Sequence, residues 1–299
     1  MGARPERIVD QFEREDLKFF EPDGKVGLLA TLDPEGLPHV TLLTAMQAKD
    51  ERHLVFGQFC EGRGKRFAED RKKTGFLLMT LDRRLWRGTA LWTGKAQSGP
   101  EHEILNRKPM WRYNSYFGIH TVHYLDLVSV TPGEDLPMAA VIRGVVSASI
   151  ARRFGRNRAP GTELGGGADP GRGTELGVGP LNPWTRAFIS RTGNLKFAAY
   201  VGGDGFPRIV PQFAASCLDD RRVLLPGAEY PEDLARIPRG AAVALFTLSL
   251  DMEDVLVRGR WEPGRRGGVI LVDWVYNSMP PVAEQIYPPV DLARKIEAF

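Results

Sequence analysis

Long apolar runs, cysteine and the signatures of common hydrolytic and nucleotide sites are what this 299-residue sequence has least of. No apolar stretch approaches the roughly 18–20 residues that a membrane-crossing helix needs, so no membrane partner is expected. The first twenty residues are charged throughout and lack an apolar core, which argues against a secretory leader. Two cysteines, Cys60 and Cys217, stand at no metal-ligand spacing and build no disulfide framework. A reducing, cytoplasmic setting is the expectation that follows. Neither Gly-x-Ser-x-Gly nor His-Glu-x-x-His occurs, and Gly171-Arg172-Gly173 is not followed by Gly-Lys-Ser/Thr, so hydrolase and phosphate-loop readings have nothing to stand on. His120 and His123, three apart, would face opposite sides of a strand, and no metal site is expected from them. Charge of one sign is also missing: 40 basic against 37 acidic residues leave a net charge of +3. The one basic cluster, residues 63–73, alternates with acids, so nucleic acid is not expected as a partner.

What is present is a globular composition, 42% apolar and 26% charged, in a chain long enough for two ordinary cores. The sharpest break in texture spans residues 155–182, where nine of 28 residues are glycine and the string GTELG occurs twice. Such a segment buries too little surface to offset its ordering entropy, and a linker is expected there. Residues 4–20 carry Ile8, Phe12, Leu17 and Phe20 at roughly helical spacing among charges, predicting a surface helix. Strands are predicted at 26–32, 38–46, 53–59, 75–81, 88–97 and 122–130, with helices at 64–73, 101–113 and 137–154. Between the first two strands, Asp33-Pro34-Glu35-Gly36 is good turn chemistry: proline presets φ, and glycine tolerates a positive φ.

The same hairpin occurs again. Gly36-Leu37-Pro38 and Gly205-Phe206-Pro207 lie 169 positions apart, and residues 50–56 pair with 219–225 at the same offset. Further on, Leu91-Trp92-Thr93-Gly94 resembles Leu256-Val257-Arg258-Gly259 at offset 165, and Leu125–Val128 resembles Val272–Val275 at 147. A repeat explains two motifs holding one offset. Short strands at regular spacing with few helices predict a mainly β chain of two tandem β-barrels. The expected division is residues 1–154, a linker at 155–182, and residues 183–299.

The order of these pieces resembles the pyridoxamine 5′-phosphate oxidase-like, FMN-binding split-barrel family. It is carried by Gly36-Leu37-Pro38-His39-Val40, then Leu54-Val55-Phe56, then Lys65 opening a helix, then Trp92-Thr93-Gly94-Lys95-Ala96, across about residues 26–130. The resemblance implies a tandem member with one better-preserved cofactor site in the first barrel. It implies FMN as cofactor, with F420 or haem as alternatives, and Lys65 at the phosphate with Arg63 and Arg66 beside it. Cations on a glycine-loosened helix start suit a phosphate dianion. It further implies Thr41, Thr44, Gln58 and Thr89 as polar neighbours of the flavin, with Trp86, Trp92 and Trp111 available as aromatic walls. Residues with a catalytic role are not identified. The implied function is an oxidoreductase passing electrons or hydride to a small molecule. The alternative is a non-catalytic module holding flavin, F420 or haem. The second copy has Glu229-Tyr230-Pro231-Glu232-Asp233 where the first has its basic turn, so its cofactor site is expected to be degenerate. The two barrels would then pair internally, with a homodimer of the chain left open.

Overall fold

The structure, a computed structural model, describes residues 8–21, 24–59, 62–108, 118–155, 179–251, 253–277 and 284–287. Cys60, Trp111 and nearly all of the expected linker lie outside the described residues. The chain is mainly β. The first copy contains β1 (Lys25–Leu32), β2 (Pro38–Leu42), β3 (Gln47–Ala48), β4 (His53–Gln58), β5 (Lys73–Thr80), β6 (Arg84–Ala96), β7 (Thr121–Val130) and β8 (Glu134–Asp135), with helices α1 (Arg63–Arg71) and α2 (Pro100–Arg107). Helix α3 (Met138–Gly155) follows, and α4 (Pro183–Ser190) opens the second copy. That copy contains β9 (Leu195–Val201), β10 (Pro207–Pro211), β11 (Ser216–Cys217), β12 (Arg222–Leu225), α5 (Pro231–Ala235), β13 (Ala242–Leu248), β14 (Asp254–Pro263), β15 (Gly268–Asn277) and β16 (Glu284–Tyr287).

Each copy forms an antiparallel split barrel. The strand order is β2-β1-β5-β6-β7-β4-β3 in one and β10-β9-β13-β14-β15-β12-β11 in the other, the same path taken twice. Two compact units can be drawn: Met1–Pro137 with Ala198–Val210 and Ala242–Ala244, and Met138–Phe197 with Pro211–Ala241 and Leu245–Phe299. Helix α3, expected at the end of the first barrel, falls in the second unit. Among the described residues, no helix is long and apolar enough to cross a membrane.

Backbone hydrogen bonds fix how the copies correspond. In the first hairpin Asp33 N donates to Leu37 O and Gly36 N to Asp33 O, while in the second Gly202 N donates to Phe206 O and Gly205 N to Gly202 O. Gly36 and Gly205 adopt φ of 79° and 77°, the left-handed conformation their turns require. The offset of 169 does not shrink to 165 at β6. Trp92 N donates to Lys72 O, and Trp261 N to Ala241 O, so the copies stay 169 apart through β14. The offset changes only after that strand. Leu127 N donates to Arg52 O and Val272 N to Arg221 O, which sets β7 against β15 at 145 rather than 147. A slip of two residues preserves the in-out alternation of a strand, so pattern matching accepts it while the hydrogen-bond register does not. The bulge between Thr89 and Ala90 recurs between Arg258 and Gly259, confirming the corrected correspondence. The whole length difference therefore lies between β6 and β7, where the first copy inserts α2.

The N-terminal segment also differs from expectation. Of the expected helix at 4–20, the described residues 8–20 turn only at Arg14–Phe19, as a 3-10 helix. Val9 bridges to Val130, and Phe12 and Phe20 enter the first core at 2% and 1% exposure. The carboxylate of Asp16 accepts the Trp86 indole N–H at 2.8 Å and is paired with Arg84, clamping the segment over the barrel. Spacings of four, five and three do not keep one helical face, and the aromatic residues follow the core instead. The expected strand 38–46 likewise breaks at Leu42: Met46 N turns back onto Leu43 O before β3 begins.

Candidate functional site

In the first copy the ends of β4, β6 and β7 converge. Register places Gln58 opposite Thr121 and Lys95 opposite His123, so neighbouring strands deliver three polar ends to one edge. Helix α1 starts beside them. Together they form a cleft of about 400 Å³ lined by Gln58, Phe59, Gly62, Lys65, Arg66, Glu69, Lys95, Gln97, His120 and Thr121. Gly57 permits this convergence, since a Cβ there would come within 2.6 Å of the Ile119 side chain. Helix α2 holds the same segment from the other side: Asn106 accepts from Ile119 N at 2.8 Å and donates to Ile119 O at 3.0 Å. The insertion that lengthens the first copy thus anchors one wall of its cleft.

Cations dominate the lining. Lys65 is 6% exposed, with its ammonium 5.7 Å from the centre of the Phe59 ring. Lys95 binds Glu69 at 2.8 Å, and Lys65 and Arg66 complete the cationic lining. Behind this lining lies an ordered chain of donors. Trp92 Nε1 can only donate, and it donates to His123 Nδ1 at 3.1 Å. His123 therefore carries its proton on Nε2 and gives it to Gln58 Oε1 at 2.6 Å. With its oxygen so engaged, Gln58 is left with its amide NH₂, which has no acceptor among the described residues. His123 is fully buried and stacks on Phe56 with 4.6 Å between ring centres.

Burial holds His123 down, from 6.5 to about 4. Between those values the unfolded chain binds a proton that the folded chain does not. The resulting stability is complete above about pH 6.5 and is lost as pH falls through about 4. His123→Phe keeps the stack on Phe56 but cannot titrate. The difference in unfolding free energy between wild type and variant should therefore be flat above pH 6.5 and fall steadily below it, measured by urea denaturation. A difference independent of pH from 4 to 8 would show that His123 is not held neutral.

The residues implied from sequence divide into three groups. Gln58, Lys65 and Arg66 line the cleft. Arg63 is the first residue of α1, and Thr41 packs its hydroxyl against Gly64 of the same helix, so closely that Gly64 has no room for a Cβ. Thr44 lies in the turn after β2, outside the lining. Thr89 is not brought to the cleft: it is 1% exposed, and its hydroxyl bonds Ser129 at 2.7 Å, six residues along β6 from Lys95. Of the proposed aromatic walls, Trp86 is core and Trp92 serves His123, while Phe59 is the aromatic residue of the cleft. Glu69, Lys95, Gln97, His120 and Thr121 were not among the site residues implied from sequence. Lys95 had a signal, because it alternates with half-buried positions at the end of a strand already matched by motif. Among the described residues no group of His, Cys, Asp or Glu could hold a metal ion. Cys217 is buried, its thiol pushed up to about 12 by that burial, which makes it inert.

No family model and no curated protein matches the chain. Solved structures do, as likenesses of fold. An FMN-binding protein from Syntrophomonas wolfei subsp. wolfei is 13% identical, covering 40% of this chain and 86% of its own, with a TM-score of 0.33. An F420 reductase is 15% identical, covering 38% and 94%, with a TM-score of 0.32. A FAD-binding protein from Mesorhizobium loti is 14% identical, covering 41% and 96%, with a TM-score of 0.29.

Proposed function

We propose that the first copy binds FMN in this cleft and that the chain is a flavoprotein passing electrons or hydride to a small molecule. The observation that carries the reading is Lys65, a buried lysine at the start of α1 lining a cleft where cations outnumber carboxylates. Ammonium and guanidinium groups bind phosphate dianions through charge-assisted hydrogen bonds, and Arg66 extends the same patch. The residues fit the rest of the cofactor in kind. The Gln58 amide, its orientation set by His123, offers donors to a heteroaromatic ring edge, and Phe59 offers an apolar face. At about 400 Å³ the cleft is within the usual range of cofactor sites. A bound flavin supplies the redox chemistry, while the chain supplies binding, orientation and exclusion of water. The division into two tandem barrels, one holding cofactor and one degenerate, belongs to the same proposal.

Titration of the purified chain with FMN, followed by flavin fluorescence, tests the reading. One FMN per chain is expected, and reduction by NAD(P)H in the presence of an acceptor would mark an enzyme. Two FMN per chain would contradict the degenerate second site, and no binding would end the proposal. A second reading rests on the lining itself. Apart from Phe59, Gly62 and Thr121 it consists of cations, one paired carboxylate, amides and His120, the one imidazole among the described lining residues, which is exposed. That set suits a module that holds flavin or F420 without turnover. Binding with no NAD(P)H-dependent reduction would favour it.

A further inference from the structure

The second copy has a cleft of its own, and its chemistry is not that of the first. The offset of 169 carries Gln58, Gly62, Lys65, Arg66 and Lys95 onto Gly227, Pro231, Leu234, Ala235 and Gly264, and all five of these line a second cleft of about 550 Å³. The split barrel thus opens at the same place twice. In the second copy the buried lysine has become Leu234, 2% exposed, and proline and alanine replace the neighbouring polar groups. The floor is apolar where the first copy's is cationic.

Charge returns at the rim from positions the first cleft does not use. Arg265 and Arg266 lie on the turn between β14 and β15, and Arg143 projects from α3, one turn before Ser147. None of the three arginines makes an ion pair among the described residues. The turn is fixed in place: Gly264 N donates to Gly267 O at 2.9 Å, and Gly267 takes a φ of 69°. Gly227 packs so tightly on Gly267 that a Cβ would not fit between them. Glu229, next to the lining residue Ala228, is committed elsewhere, both oxygens accepting backbone N–H groups of Phe213 and Ala214 at 2.7 Å. It does not neutralise the rim.

We infer that the second cleft binds a small organic anion, its apolar body on Leu234 and the prolines and its carboxylate, sulfonate or phosphate at Arg143, Arg265 and Arg266. Planar guanidinium groups suit such oxyanions. An apolar floor with a few convergent polar groups is the general form of a ligand site. This inference does not rest on the FMN reading, since no residue is shared between the two clefts.

The probe is 8-anilinonaphthalene-1-sulfonate, an aromatic body bearing one sulfonate, titrated into the full chain by fluorescence. Saturable binding of one probe per chain is expected. Arg265→Ala with Arg266→Ala should weaken it at least ten-fold, and Arg143→Ala about three-fold. Lys65→Met should leave it unchanged. The arginines are exposed, so these variants are expected to fold, which far-ultraviolet circular dichroism checks. Affinity unchanged in the double variant, or loss of binding in Lys65→Met, would each overturn the inference.

Discussion

Replacing Lys65 with methionine is expected to weaken FMN binding by between ten- and a hundred-fold while leaving the chain folded. A hydrogen bond to a charged group contributes about 1.5–3 kcal/mol, and 1.4 kcal/mol is tenfold in affinity. Methionine keeps the length and the apolar stem, so what is lost is the ammonium in a cleft whose other cation near α1, Arg66, is exposed. Far-ultraviolet circular dichroism checks that the variant stays folded. Lys65→Arg should recover part of the affinity at most, because the larger guanidinium must fit where the lysine ammonium lies close to Gly62. Binding should also weaken with added salt in wild type and less so in the variant. Fluorescence titration at two ionic strengths reads all of this. Affinity within three-fold of wild type would place the phosphate away from Lys65.

Much of this architecture was legible from the sequence because turns and strand starts are local. Asp33-Pro34-Glu35-Gly36 needs a positive φ at its glycine, and that need is written into the second hairpin at Gly205 as well. The basic start of α1 was legible for the same reason, and with it Lys65 and Arg66. What was not legible depends on register and on partners remote in sequence. Alternation says that a strand has two faces, but it cannot tell offset 147 from 145, and only the bond from Leu127 N to Arg52 O decides. Thr89 sits on a strand that reaches the cleft, but several residues from the lining end, where Ser129 takes its hydroxyl. The orientation of Gln58 is set by His123 from β7, which is held in turn by Trp92 from β6. No spacing within any one segment records that relay. The second cleft was hidden because its cations come from α3 and from the turn that replaces α2's insertion, rather than from the acidic segment aligned with the first basic turn.

Substituting Glu229 by alanine is expected to be more damaging to stability than any change at the cleft rims. Its carboxylate is 7% exposed and is the acceptor for two consecutive amides, Phe213 N and Ala214 N. Each buried donor left without an acceptor costs about 1–3 kcal/mol, so Glu229→Ala should lose about 3–5 kcal/mol in urea denaturation. Glu229→Gln, which keeps one acceptor but sets an NH₂ against the other amide, should lose about half of that or less. The pH profile identifies the cause. Burial pushes Glu229 up from 4.5 to about 7, against the pull of the two amides and of Lys196. The folded chain therefore keeps a proton that the unfolded chain releases. Its contribution is complete below about pH 4.5 and is lost as pH rises through about 7. Lys196 behaves oppositely: burial lowers it from 10.5 to about 8, so stability is regained as pH rises from about 8 towards 10.5. The stability difference between wild type and Glu229→Gln should fall from pH 4.5 to 7 and then level off, the reverse of the trend for His123. A flat difference would show that the carboxylate is ionised throughout. The same pair marks a difference between the two copies. In the first copy the aligned amides belong to Thr44 and Ala45, the residue aligned with Lys196 is Gly27, and neither amide has an acceptor among the described residues. The second copy thus supplies its own carboxylate to two amides whose counterparts in the first copy have no such acceptor.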